Sequence, residues 1–92
     1  VVQVRLTRHL FAFFPQLENR ELRVEAQDVA GAVRALDELA PGIAFYVCDE
    51  RGRLRPHVNV FIGNNPVRDR RQLSDAVRPD ETISILQALS GG

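Results

Sequence analysis

The sequence has no lysine, no methionine and no tryptophan, holds a single cysteine, and carries no excess of either charge: twelve arginines face twelve carboxylates. One thiol, Cys48, cannot form an internal disulfide, so a disulfide-stapled secreted scaffold is excluded. Without lysine, the chain has no ε-amine of its own to attack an activated carboxyl group. A formal net charge of zero gives no general electrostatic drive towards polyanions. Neither nucleic acid nor membrane is therefore expected as a partner. The longest apolar stretches fall far short of the ~18 residues of a membrane span, and no charged-then-apolar leader opens the chain. A cytoplasmic location is the expectation.

What is present suits one folded unit. Ninety-two residues, 45% hydrophobic and 26% charged, can bury a core unaided but leave little room for both a substrate cleft and a cofactor domain. A carrier, adaptor or binding module is favoured over an enzyme, with no bound cofactor. His9 and His57 lie far apart without Cys or carboxylate partners at ligand spacing, so no metal site or catalytic dyad is expected. Cys48, inside the apolar run "IAFYVC", reads as a small buried hydrophobe rather than a nucleophile. Phe11, Phe13 and Phe14 read as core and loop anchors. The arginines crowded between Arg51 and Arg78 read as a solvated set balanced by Asp49, Glu50, Asp69, Asp75, Asp80 and Glu81.

Periodicity supplies the order of elements. "VVQVRLT" alternates with Val2, Val4 and Leu6 on one side, and "RELRVEA" alternates through Leu22 and Val24, which suits an antiparallel pair joined by an aromatic-rich loop. Over "QDVAGAVRALDELAPG" the period changes to that of a helix: Val29, Val33, Leu36 and Ala40, with Ala32 and Leu39 beside them, form one stripe. Asp28 is placed to cap its start and Pro41-Gly42 to stop it, while Gly31 suggests close packing. Residues 43–48 fit a short strand or an irregular turn, and "DERGR" is a turn. "HVNVFIGNNPVRD" is the strongest strand, followed by a Gly63–Pro66 turn, a polar connection anchored by Leu73 and Val77, and a last strand, "ETISILQ". Strands on both sides of one helix argue for an α+β fold, a mixed sheet of four to five strands over one main helix. The first and last strands would lie parallel in a ubiquitin-like β-grasp. Residues 1–87 form the domain and 88–92 a flexible tail. If Val58, Val60, Ile62, Ile83 and Ile85 face the helix, Phe61 and Leu86 project from the other face as partner-binding candidates.

"GRLRPHVNVFIGNNPVRD" and "LSDAVRPDETISILQALSGG" carry a further reading. Together they resemble the ThiS/MoaD family of prokaryotic sulfur-carrier proteins, which pair such a central strand and turn with a Gly-Gly C-terminus. The pattern is most similar to the carriers of the cysteine-biosynthesis type. The likeness covers the last forty residues or so well and the first fifty more loosely. Three positions depart from the family pattern: the Gly63-Asn64-Asn65-Pro66 turn, Pro79 in place of a glycine, and Gln87 in place of a proline. All three bear on loop geometry and partner choice.

The resemblance implies a protein that is a cosubstrate. A ubiquitin-activating-type adenylyltransferase would use ATP to adenylate the Gly92 carboxylate, and a sulfur donor or sulfurtransferase would convert it to a thiocarboxylate. An acceptor biosynthetic enzyme, for cysteine, molybdopterin, thiamin or a specialised metabolite, would then take the sulfur. Gly91 and Ser90 would thread a narrow channel, since glycine adopts backbone angles closed to other residues. Leu89 would join Phe61 and Leu86 in partner binding. Five extended residues from Ala88 reach about 17 Å. Two terminal glycines alone arise by chance in roughly one chain in two hundred, so the pair gains weight from its "SILQALSGG" context. The alternatives are a ubiquitin-like modifier that forms isopeptides and a β-grasp interaction subunit that never uses its tail.

Overall fold

Alternation at the start of the chain builds an edge of the sheet. β1 (Val2–Leu6) buries Val2 and Val4, and β2 (Leu22–Val24) pairs with it antiparallel, Val2 opposite Val24 and Val4 opposite Leu22. The computed structural model describes residues 1–87, the His9 side chain excepted. The aromatic connection between the strands is two 3₁₀ turns, Arg8–Ala12 and Pro15–Leu17. Leu10, Phe14 and Leu17 of this connection are buried and Phe11 packs half-buried on the core, but Phe13 is 58% exposed, contrary to the anchoring role expected for it.

α1 (Val29–Leu39) follows the expected stripe closely. Val29, Ala32, Val33 and Leu36 are buried, as is Ala40 just beyond its end. The Asp28 carboxylate accepts the Gly31 amide hydrogen bond at 2.7 Å and caps the helix. A Cβ on Gly31 would stand 3.0 Å from that oxygen, so the glycine leaves room for the cap. Leu39 departs from expectation and is exposed. At 3.6 residues per turn it lies roughly 80° from the centre of the stripe, beyond what the sheet covers.

The segment left open between strand and turn is a short helix, α2 (Ile43–Val47). Its β-branched and aromatic residues have strand propensity, but the ends are set by partners elsewhere. Asp37, one turn from the end of α1, accepts from the amides of both Gly42 and Ala44 at 3.0 Å. Gly42 takes φ 102° to reverse the chain, and Arg55 Nε donates to the Phe45 carbonyl at 2.7 Å. The "DERGR" turn then closes as expected, with the Asp49 carboxylate accepting from the amides of Arg51 and Arg53.

β3 (Val58–Ile62), a two-residue β4 (Asn65–Pro66) and β5 (Thr82–Gln87) complete a five-stranded sheet in the order β2-β1-β5-β3-β4. β5 pairs parallel to β1 and antiparallel to β3, the β-grasp crossover with α1 between the parallel strands. Val58, Val60, Ile83 and Ile85 are buried on the helix side and Ile62 packs half-buried against the same core. The connection from β4 to β5 is anchored by Leu73 and Val77, both buried. It also serves α1, whose first amides donate to it, Val29 to the Asp75 carbonyl and Ala30 to the Leu73 carbonyl.

Candidate functional site

The expected site has two parts: a tail and a surface around the tail's root. Leu89, Ser90, Gly91 and Gly92 lie outside the described residues, so the geometry concerns the root. β5 is an inner strand, paired through Leu6 opposite Ile85 on one side and through Gln87 opposite Val58 on the other. Where the β1 ladder ends, the Thr7 side chain continues it. Thr7 Oγ1 accepts from the Gln87 amide at 2.7 Å and donates to the Ile85 carbonyl at 3.3 Å. The last described residue before the tail is thus fixed to its neighbours by main-chain and hydroxyl bonds.

The outer face of the sheet carries the two side chains expected there. Leu86 is 43% exposed and Phe61 half-buried. Phe61 stands opposite Ser84 and Leu86 opposite Asn59, so the two are diagonal neighbours, about 7–8 Å apart by backbone geometry. Arg5, also opposite Ser84 across β1, and Arg23 lie on this face among Gln3, Asn59, Thr82 and Ser84. The outward positions of β1, β2, β3 and β5 contain no carboxylate. Arg23 pairs with Glu21, just before β2, at 3.2 Å, so the face is a small apolar pair in a polar field.

A second set of groups at the same end was not foreseen. A groove of about 340 Å³ is lined by Phe45, Tyr46, Arg55, His57 and Gln87. Phe45 is 65% exposed. The Tyr46 ring contacts Phe13 and Phe14, with centroids 5.2 Å away in each case. Sequence reasoning missed these residues because it left 43–48 open between strand and turn; Asp37 and Gly42, spaced to cap a second helix, were the available signal.

The arginines are less idle than a solvated set. Arg70 donates to the carbonyls of Arg55 and Val58, at 2.9 and 2.6 Å, and so secures the approach to β3. Nor do the acidic groups mainly balance them. Within the Asp49–Glu81 stretch, the described residues form one ion pair, Arg53 with Asp49. The carboxylates of Asp69, Asp75 and Glu81 instead accept backbone amides. The Ser74 hydroxyl, then the Gln72 amide, hold the Asp69 carboxyl down at about 2. Cys48 is buried, and burial followed by the neighbouring Asp49 charge pushes its thiol up, which keeps it protonated and unreactive. Among the described residues no three His, Cys, Asp or Glu side chains gather in a metal-binding group, and no helix is long and apolar enough to cross a membrane.

No family model matches the chain, and no curated protein matches it in sequence. Solved structures do match it in fold. A chain of the BexX/CysO complex of Amycolatopsis orientalis superposes with a TM-score of 0.84 at 21% identity, covering 100% of both chains. CysO of Mycobacterium tuberculosis, described as an antigen, gives 0.82 at 20% identity over 97% of this chain and 100% of its own. SAMP1 of Haloferax volcanii gives 0.77 at 22% identity over 99% and 98%. The fold is therefore the ubiquitin-like β-grasp expected from the order of the elements.

Proposed function

We propose that this protein is a sulfur carrier. A ubiquitin-activating-type enzyme adenylates the Gly92 carboxylate, and the product is converted to a thiocarboxylate that supplies sulfur to a biosynthetic acceptor enzyme. The observation that carries this reading is the conjunction of an inner β5, clamped at Gln87 by Thr7, with the sequence Ala-Leu-Ser-Gly-Gly directly after it. Whole-chain likeness to structures named CysO supports it.

The chemistry divides between chain and partner. A carboxylate is a poor electrophile. In the partner's site the Gly92 carboxylate oxygen attacks the α-phosphorus of ATP, pyrophosphate leaves, and an acyl-adenylate results. A hydrosulfide, or the equivalent delivered by a sulfur donor, adds to the carbonyl and AMP departs, leaving the thiocarboxylate. The chain's own residues bind and present: Phe61, Leu86 and Leu89 dock on the partner, and Ser90 and Gly91 pass through a narrow channel without a bulky side chain. No cofactor need reside on the carrier; ATP is the activating enzyme's substrate. Such a protein acts where its partners are, and the cytoplasm is the proposed compartment.

Intact-mass spectrometry after incubation with the activating enzyme, ATP and a sulfur donor tests this. A product heavier by the difference between sulfur and oxygen is expected. Its absence with an enzyme shown to be active would rule the carrier reading out. One observation favours a second reading, protein modification through the same activated carboxylate: the Methanosarcina acetivorans neighbour is named a small archaeal modifier protein, and the match has a TM-score of 0.76. Conjugates in cells that vanish when Gly91 and Gly92 are removed would separate modification from carriage alone.

A further inference from the structure

We infer that the partner that takes the tail also grips the domain on the helix side of the sheet, by inserting an aliphatic side chain flanked by a carboxylate into the groove of Phe45, Tyr46, Arg55, His57 and Gln87. The inference rests on the carrier reading and extends it to a surface separate from Phe61 and Leu86.

Three observations converge on this groove. Phe45 is the most exposed large apolar side chain among the described residues, at 65%, and Phe13, next at 58%, extends the patch through its ring contact with Tyr46. Aromatic side chains left in water at this density mark contact surfaces. The groove's charge is one-sided: its lining holds no carboxylate, and Arg55 stands in it. Arg55 spends Nε on the Phe45 carbonyl, and its two terminal nitrogens have no partner among the described residues. That fixes the guanidinium with donors to spare, which suits a carboxylate and repels a cation. The third observation is position. Gln87 is both the last residue of β5 and part of the wall. Leu86 and Gln87 lie on opposite faces of the strand, so a protein that encloses the chain beyond residue 87 meets the outer face at Leu86 and this groove at Gln87.

The groove therefore accounts for recognition that the Gly-Gly end cannot supply. Glycines carry no side chain for a partner to distinguish, whereas an aromatic pocket with one fixed guanidinium does.

The test uses the full chain, ATP and the purified ubiquitin-activating-type adenylyltransferase of the same organism, with pyrophosphate exchange measured against carrier concentration. Phe45→Ser and Phe13→Ser alter exposed rings, so thermal unfolding midpoints should match that of the wild type. KM for Phe45→Ser should rise about tenfold and that for Phe13→Ser less, with kcat unchanged, as expected when contact energy is lost outside the reacting atoms. Arg55→Gln should weaken the wild-type increase of KM with salt. If the wild type is charged and the KM of Phe45→Ser stays within about twofold of it, the groove is not a contact and the carrier reading stands. If the wild type supports no exchange with an enzyme that charges another carrier, the carrier reading falls and takes this inference with it.

Discussion

Thr7 shows how one hydroxyl can set the root of a functional segment. It lies just past β1, where the parallel ladder would otherwise stop, and it bonds both the Gln87 amide and the Ile85 carbonyl. Replacing it with Val keeps the shape but leaves the partly buried Gln87 amide without its acceptor, a loss of about 1 kcal/mol. Urea unfolding should register that loss, and hydrogen exchange at the Gln87 amide should accelerate well beyond that at Ile83; Thr7→Ser should behave as the wild type. Unchanged exchange at Gln87 would show that the clamp does not hold in solution. At the other end of the molecule, Asp28 is a similar single-residue device. Asp28→Ala removes the oxygen that accepts the Gly31 amide and should lower stability by about 1 kcal/mol, read from the same denaturation curves.

Among the elements, the Arg68–Asp75 connection depends on titratable oxygens. Asp69 accepts from the Arg71, Gln72 and Ser74 amides and from the Ser74 hydroxyl, while Asp75 accepts from the Arg68 and Asp69 amides. The Asp69 carboxyl is held at about 2, against 3.8 for an ordinary aspartate. A pKa lower in the folded state means that the unfolded chain binds more protons between those two values. The contribution is complete above 3.8 and is lost as pH falls through about 2. Asp69→Asn should therefore flatten the fall in stability across that window, as followed by circular dichroism during acid titration. The contrast between α1 and α2 explains what was legible at this scale. α1 carries its own signals, an 11-residue stripe and a cap adjacent in sequence. α2 has five residues of strand-like composition, capped by Asp37 from behind and Arg55 from ahead. Partners outside the element leave no periodicity within it to read, only the spacing of Asp37 to Gly42. The arginines were misjudged for the same reason: that Arg70 serves the carbonyls of Arg55 and Val58 depends on where the chain returns.

At the scale of the whole molecule, the order of elements was enough to place β5 beside β1, because a helix between two parallel strands leaves few ways to close a sheet. Inward alternation in β3 and β5 then assigned Phe61 and Leu86 to the outer face. The aromatic groove escaped, since it is made by α2 meeting the end of that sheet. This division has a consequence for truncation. The core cluster lies within Val2–Ile85 and contains no buried polar or charged side chain among the described residues. Gly91 and Gly92 carry no side chain to contribute to an apolar core, so their removal is expected to leave folding unchanged. The truncated chain should unfold at the wild-type midpoint and retain Phe61, Leu86 and the groove, yet support no pyrophosphate exchange. It should also compete with wild-type carrier for the activating enzyme, because its docking surfaces remain. Inhibition by the truncated chain, weakened by adding Leu86→Asp, would separate binding by the domain from chemistry at the tail. A truncated chain that neither exchanges nor competes would instead place the binding energy in the last two residues. One that retains full cellular function would leave the interaction-subunit reading standing, since that alternative requires no carboxylate at Gly92.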